Sequence, residues 1–409
     1  MWRQHGQKRT APSESLEEAL TRIFSDRTLM AQAEKSLQAA AAAEPLVAEI
    51  FLTPQSLPYH AEGPFLDTHV RRMLATLQAI CNGQLHVRDI EEFRRLKGFE
   101  GEIDELQETV CERQAFFEVF ALCHDVAKYV SATPAAKSGS RGAELGFSPS
   151  TAAAWEDEGI AERALLRRRY IELYRAFAAE HTTRSPVATQ ADFFLAYAIQ
   201  VHYPGHDTLI HAPVYQALLQ RIGTARRLPK EDIVLLEDII AHHLQPLTDF
   251  EGATAPRPER MSRYVGLAKD RGYDADDFID ILQAGFFLDV VAGSCVWDGK
   301  RAKQDASTLI HFFEAEHAYA PWKRIVNELA RTERHKRERN ARFRTVGLDG
   351  LALLDLLHME PGPAFGAKIN EIYEAIEGNG TMPVFPSLMT SELQRRIEKY
   401  YEMEFGVSS

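Results

Sequence analysis

Apolar residues recur every three or four positions along most of the chain, the spacing that places them on one face of a helix. The first such run begins after Ser15 and continues through Leu16, Leu20 and Ile23, and Glu18 completes a capping-box pattern with Ser15. Runs in which apolar and polar residues alternate between turns, as in half-buried strands, are scarce. The pattern therefore predicts an all-α fold.

The same spacing predicts how the chain is divided. We expect an N-terminal helical cap over residues 1–59, a central helical domain over 60–299 and a C-terminal helical domain over 300–409. Further helices are predicted over residues 31–50, 66–80, 114–130, 160–180, 191–201, 208–222, 230–244, 276–294 and 321–344. Residues 130–159 are rich in Ser, Gly, Pro and Ala and are predicted to form a long loop, either a lid or a disordered segment.

Composition and charge narrow the class of protein. The 409 residues are 45% hydrophobic and 26% charged, a balance typical of globular proteins that bury a core. The net charge of −12 excludes a protein that coats nucleic acid along its whole length, although a local basic patch remains compatible with it. No apolar run approaches the roughly 20 residues of a membrane span, so we expect no membrane partner.

The number and spacing of the cysteines indicate the redox state of the cellular compartment. Cys81, Cys111, Cys123 and Cys295 are widely spaced and form no Cys-x-x-Cys pair. This spacing argues against a disulfide scaffold and against a thiolate zinc site. It favours a cytoplasmic protein with reduced thiols.

A His-Asp pair, His124 and Asp125, lies near the end of the apolar run FFEVFALCHDVAKYV. An imidazole and a carboxylate that face a core must be paired, hydrogen-bonded or metal-bound, because an unpaired buried charge costs several kcal/mol. Taken alone, such a pair occurs in many helices by chance.

Further histidines and one acid share comparable surroundings. His69 has Phe65, Leu66 and Met73 on its helical face, and Asp289 lies on a stripe of apolar and small residues. Taken alone, Asp289 is also compatible with a buried structural hydrogen bond. Imidazole and carboxylate together suit Mn, Fe, Co, Ni or Zn better than Mg or Ca.

The ordered set resembles the HD superfamily of metal-dependent phosphohydrolases. Its members here are, in chain order, His69, His124, Asp125, His206, His242, His243 and Asp289. The contexts are similar as well: VFALCHDVAKY looks like the family's apolar helix ending in His-Asp-x-x-Lys, and LPKEDIVLLEDIIAHHL looks like a helix closed by two histidines. The resemblance covers roughly residues 60–299 and implies an HD-domain helical bundle.

The resemblance implies a centre of two divalent transition-metal ions, Mn, Fe, Co, Ni or Zn. The first ion would be held by His69, His124, Asp125 and Asp289. Asp125 would bridge to a second ion held by His206 and by either His242 or His243, a choice that the sequence leaves open.

The implied reaction is hydrolysis of a phosphomonoester or phosphodiester, of a nucleotide or an RNA end, by a hydroxide that bridges the ions. Asp125 and Lys128 are the candidate catalytic residues, since Lys128 matches the family's lysine and would offset phosphoryl charge. Lys128, His202 and His211 are candidates for substrate binding, although a solvated lysine at a helix end is the plainer interpretation of Lys128. Tyr129 and Val130 depart from the small residue or proline of many relatives.

Two other functions remain open at this point. Some HD-fold proteins hold a di-iron centre and oxidise their substrate with O₂, and the same ligand set serves both reactions. A non-catalytic RNA-binding module with a structural metal site is the second alternative.

The C-terminal region carries a weaker resemblance. Residues 347–378, GLDGLALLDLLHMEPGPAFGAKINEIYEAIEG, look like the helical tail of tRNA nucleotidyltransferases and poly(A) polymerases, but no nucleotidyltransferase head is evident. The preceding run ARTERHKRERNARFR is strongly basic and is either an RNA-backbone contact or a solvated helix face. The candidate nucleic-acid-binding residues are Arg334, Lys336, Arg337, Arg339, Arg342 and Arg344.

Overall fold

The computed structural model describes most of the chain. The described residues are 14–55, 57, 60–91, 100–147, 159–250, 261–293, 295–297, 302–304, 325, 328–329, 331–378 and 391–405. They form two compact units, Met1–Trp322 and Lys323–Ser409, and the boundary lies later than the predicted one at residue 299. Helices dominate both units, so the predicted all-α fold is confirmed.

The helices of the first unit are α1 (Leu16–Ser25), α2 (Arg27–Ala43), α3 (Leu46–Ile50), α4 (Leu66–Cys81), α5 (Glu100–Glu112), α6 (Gln114–Cys123), α7 (Lys128–Ser131), α8 (Arg141–Glu144), α9 (Ile160–Glu180), α10 (Pro186–Tyr197), α11 (Pro213–Ala225), α12 (Lys230–His242), α13 (Gln245–Phe250), α14 (Met261–Arg271) and α15 (Ala275–Gly293). Short 3₁₀ turns occur at Val87–Asp89 and Thr208–His211. The predicted capping box is present at the start of α1, where Ser15 and Glu18 each accept from the other's backbone N–H.

Helix α4 lies at the centre of the first unit. It packs against α2, α5, α6 and α15. Its residues Val70, Met73, Leu74 and Leu77 are buried, and the apolar helices α6 and α15 bring phenylalanines such as Phe120 to the same core. Burial of these faces is the main force holding the helices together.

Two strand pairs depart from the purely helical prediction. Strand β1 (Thr133–Ala136) pairs antiparallel with β2 (Ile199–His202), with Thr133 opposite His202. Strands β3 (Cys295–Trp297) and β4 (Ala302–Gln304) form a second pair. These strands have three or four residues each, too few to show an alternating pattern in the sequence.

Three predicted segments need correction. The expected loop over 130–159 contains β1 and α8, while its residues 148–158 lie outside the described part. The helix expected over 191–201 ends at Tyr197, because Ala198 adopts a left-handed conformation with φ 52° and the chain then enters β2. The helix expected over 114–130 is likewise broken at His124, where a turn leads into α7.

The second unit has a core of its own. Its helices are α16 (331–345), α17 (Gly350–Leu357), α18 (Pro363–Gly378) and α19 (Ser391–Phe405). Phe343 of α16 stacks on Tyr373 and packs against Tyr400 in that core, together with leucines and isoleucines of α17, α18 and α19. The predicted start of the basic helix near residue 321 lies outside the described residues.

No helix within the described ranges combines the length and the apolar character that a membrane crossing requires.

Candidate metal centre

Five segments of the first unit converge on one buried point. Their side chains are His69 on α4, His124 and Asp125 directly after α6, His206 after β2, His243 after α12, and Asp289 on α15. His69, His124 and His243 are fully or almost fully buried, and Asp125 is 2% exposed. All but His206, which lies in the turn after β2, are within or directly after an apolar helix, which explains how polar groups come to lie inside the core.

One half of the centre is formed by His69, His124, Asp125 and Asp289. The Nε2 atoms of His69 and His124 lie 3.3 Å apart. Asp289 Oδ1 lies 3.0 Å from the first of these nitrogens and 3.6 Å from the second. Asp125 Oδ2 lies 3.2 Å from His124 Nε2. The donor atoms of all four residues therefore face the same small volume.

The other half is formed by Asp125, His206 and His243. Asp125 Oδ1 and the two Nε2 atoms lie within 4.8 Å of one another, and Oδ1 is 3.4 Å from His206 Nε2. Among the described residues none hydrogen-bonds to any of these three buried atoms. Because burying unsatisfied acceptors is costly, a cation is the partner that such an arrangement fits. The buried histidine and carboxylate groups could therefore hold a metal ion.

The ring orientation of three histidines supports this fit. In His124, His206 and His243 the Nδ1 atom lies 3.3, 2.9 and 2.6 Å, respectively, from the carbonyl oxygen three residues earlier. Each Nδ1–H donates to that carbonyl, so each Nε2 faces the centre. Metal-ligating histidines are commonly fixed in this way by a hydrogen bond from the other ring nitrogen.

Asp125 joins the two halves. Its Oδ2 faces the first half and its Oδ1 faces the second. Although burial opposes ionisation, His124 and Lys128 hold the pKa of Asp125 well below its usual value. An ionised carboxylate with one oxygen in each half is suited to bridge two cations.

The histidine pKa values differ between the halves. Burial opposes protonation of His124, but the Asp125 and Asp289 carboxylates outweigh it and raise its pKa. Asp289 and Glu62 likewise raise the pKa of His69 against the effect of burial. In the second half, burial together with the nearby His124 lowers the pKa of His243 to about 4.

Lys128 is an internal residue rather than a solvated one. It is 6% exposed, and its Nζ donates to Asp125 Oδ2 at 2.7 Å. The ammonium group also lies 5.1 Å from the centre of the Tyr203 ring and 3.5 Å from His60 Nε2. Its positive charge is therefore held next to the bridging carboxylate.

The structure distinguishes His242 from His243, which the sequence could not do. His243 is fully buried and its Nε2 belongs to the second half. The Nδ1 of His242, by contrast, accepts from Gln245 Nε2 at 2.6 Å, outside the candidate ligand groups. Of the two adjacent histidines, His243 is therefore the one that could hold a metal ion together with Asp125 and His206.

The two other candidate histidines lie apart from these groups. His211 is on the surface, with its Nδ1 2.7 Å from Glu237 Oε1. His202 is half-buried at the end of β2, opposite Thr133, and burial lowers its pKa. Neither belongs to the ligand groups found in the described part of the chain.

Two residues behind His69, His60 and Glu62, were not among the site residues predicted from the sequence. Glu62 is 3% exposed, and its Oε1 lies 3.0 Å from His60 Nδ1 and 3.3 Å from His69 Nδ1. These neighbours outweigh the effect of burial and lower the pKa of Glu62 to about 2. The available signal was a pair of ionisable residues two positions apart just ahead of an apolar helix.

The six candidate nucleic-acid-binding residues of the C-terminal unit lie on α16. The side chains that are exposed are Arg334, Lys336, Arg337, Arg342 and Arg344. Arg339 is half-buried, with its guanidinium 4.8 Å from the centre of the Tyr373 ring. Within that unit α16 therefore presents a basic face to solvent.

Comparisons of the chain with protein-family models, with curated proteins and with solved structures found no match. The chemical interpretation of the site therefore rests on the types of its donor atoms. Neutral imidazoles with carboxylates are the ligands of first-row transition metals.

Proposed function

We propose that the protein is a metal-dependent phosphohydrolase of the HD type. Its substrate is a phosphomonoester or phosphodiester of a nucleotide or of an RNA end. The observation that carries the proposal is the arrangement of Asp125 between two groups of buried imidazoles, with one carboxylate oxygen facing each. Such an arrangement favours two transition-metal ions of the Mn, Fe, Co, Ni or Zn class.

The ligand assignment follows from the two halves. His69, His124, Asp125 and Asp289 would hold the first ion. Asp125, His206 and His243 would hold the second. When bound, a pair of such ions supplies a hydroxide nucleophile at neutral pH and a clamp for the phosphoryl oxygens.

Lys128 contributes charge and orientation. Its hydrogen bond to Asp125 Oδ2 fixes the bridging carboxylate in one rotamer. The same ammonium is the cation best placed to offset negative charge that develops on a phosphoryl group at the centre. His202 and His211, which lie outside the ligand groups, are assigned no role in this proposal.

The decisive experiment combines elemental analysis with turnover. The purified protein is analysed for bound metal and assayed with a chromogenic phosphodiester in added Mn²⁺. We expect about two ions per chain and hydrolysis, and we expect Asp125→Ala to lose both while its far-ultraviolet circular dichroism stays helical. Retained hydrolysis in Asp125→Ala would refute the assignment.

The same measurement distinguishes the alternatives. Two irons with oxygen consumption, a visible absorption band and no hydrolysis would favour a di-iron oxygenase. Metal without any turnover would favour a non-catalytic module with a structural metal site.

The exposed basic residues of α16 support a second, separate part of the proposal, which is that RNA is a partner of the C-terminal unit. Five exposed cations on one helix match the charge of a phosphate backbone. We expect RNA binding to weaken steeply with salt, and Arg334→Ala with Arg337→Ala to weaken it without changing hydrolysis of the small chromogenic substrate. Salt-independent binding, or none, would contradict it.

A further inference from the structure

The group behind His69 lies outside the candidate ligands of both halves. Glu62 accepts from His60 Nδ1 at 3.0 Å, and the same oxygen lies 3.3 Å from His69 Nδ1. Both the Glu62 and the His69 side chains are fully buried. The opposite nitrogen of the His69 ring, Nε2, lies 3.0 Å from Asp289 Oδ1 at the centre.

From this geometry we infer that Glu62 is the positioning residue of the first metal half, acting through the Nδ1–H of His69. The inference rests on the metal centre of the proposed function and not on the reaction performed there. A carboxylate behind a ligating imidazole fixes its tautomer and its orientation and makes Nε2 a stronger donor. Glu62 does not itself touch the centre.

His69 differs from the other histidines of the centre in what orients it. His124, His206 and His243 each bond to a carbonyl oxygen of their own chain segment, three residues earlier. His69 lies in the first turn of α4, where the backbone carbonyls are engaged in the helix, so a group from another segment is needed to orient its Nδ1. Glu62 is that group.

Two features hold the Glu62 and His69 side chains in place. The segment that carries Glu62 is anchored by backbone hydrogen bonds from Gln55 N to Pro64 O and from Leu66 N to Thr53 O, each 2.9 Å. On the other side, the His69 ring packs on Gly293, where a Cβ would come within 2.7 Å of His69 Cε1. The ring therefore lies between a fixed carboxylate and a glycine backbone.

The test compares Glu62→Gln with a matched control. Asp249→Asn also neutralises a buried carboxylate, one that accepts from the Tyr264 hydroxyl at 2.7 Å, away from the candidate ligands. Metal-free protein is titrated with Zn²⁺ by calorimetry, and thermal unfolding of each metal-free variant is recorded. For Glu62→Gln we expect the affinity of one of the two sites to fall about 10- to 100-fold and the other to stay as in the parent.

The outcomes separate this inference from the proposed function. Parent protein with two Zn²⁺ sites and Glu62→Gln with the same two affinities would overturn the inference alone. The same loss in Asp249→Asn would also overturn it, because the effect would then belong to any buried carboxylate. Parent protein that binds no Zn²⁺ would overturn both.

A second measurement covers the case in which Glu62→Gln fails to fold. Nitrogen-15 NMR of histidine-labelled, Zn²⁺-loaded parent reports which ring nitrogen carries the proton. We expect His69, assigned by its loss in His69→Gln, to carry its proton on Nδ1 with the shift of a charge-assisted hydrogen bond. A proton on Nε2, or none on Nδ1, would overturn the inference.

Discussion

The two halves of the centre satisfy their polar atoms in different ways. In the half around His69, the imidazoles and carboxylates contact one another through the Nε2 atoms, and Glu62 Oε1 lies 3.3 Å from His69 Nδ1, outside hydrogen-bond geometry. In the half around His243, the Nε2 atoms and Asp125 Oδ1 are buried without hydrogen-bond partners among the described residues. The Nε2 atoms and carboxylates of the first half can share protons with one another, whereas a bound cation would supply a common partner for the donor atoms of the second half.

The largest expected effect separates the two neighbouring histidines. We expect His243→Ala to lower phosphodiester turnover by about 10²–10³-fold, the size seen when one electrostatic contact to a transition state is lost. His242→Ala is the matched control, since His242 hydrogen-bonds to Gln245 outside the ligand groups, and it should retain most activity. Steady-state kinetics in added Mn²⁺ measures both. Equal losses in the two variants would contradict the assignment of His243.

Metal removal tests the dependence of the second half directly. Because buried acceptors gain a partner when a cation binds, metal at 100 times its dissociation constant should stabilise the fold by about 2.7 kcal/mol. Thermal unfolding with chelator and with added Zn²⁺ measures the shift. Asp125→Ala should show no shift, and a shift of parental size in that variant would argue that metal binds elsewhere.

A substitution at Gly293 tests whether the His69 ring of the first half is confined. In Gly293→Ala the new Cβ would lie 2.7 Å from His69 Cε1, so the ring must move, at a cost of about 1–3 kcal/mol in the free energy of unfolding. Gly266→Ala is the control: no atom lies within 4 Å of its Cβ position on α14, and alanine there should stabilise by about 0.5–1 kcal/mol. Chemical denaturation of metal-free protein measures both, and similar effects would show that the His69 ring is not confined.

The smallest expected effect is the release of protons when a metal binds. The pKa of His124 is raised to about 10, so at neutral pH this ring carries a proton that must leave when a metal binds, and the pKa of His69 is raised as well. The pKa of His243 is lowered to about 4, so that ring is already neutral above about pH 5 and releases none. Affinity of the first half should therefore rise with pH from neutral upward, and more steeply than that of the second half. Calorimetry in buffers of different ionisation enthalpy counts the protons, and equal release from both halves would contradict the comparison.

The helical repeat in the sequence was enough to predict the all-α fold and the apolar helices that carry the histidines. It could not decide between His242 and His243, because adjacent residues differ by about 100° around a helix and tertiary packing sets which one faces inward. Glu62 was missed for a related reason. It lies in an irregular segment before α4, where no periodicity indicates which way a side chain points.

Lys128 illustrates a different limit of the sequence. A lysine near a helix end is commonly solvated, and the sequence left that interpretation open beside the favoured catalytic one. The chain turns between α6 and α7, which carries Lys128 inward to Asp125 instead of outward to solvent. The turn depends on packing between segments that are far apart in the sequence, so local helix propensity could not predict it.

The pairing of β1 with β2 fixes two distant points of the chain side by side. Thr133 lies opposite His202, so the chain between them, which includes α9 and α10, returns to the point from which it started. Lys128 precedes this closed segment and His206 follows it. Insertions or deletions between the two strands therefore change the length of a closed loop and leave the spacing of the groups on either side of it unaltered. The length of this segment can vary without rebuilding the centre itself.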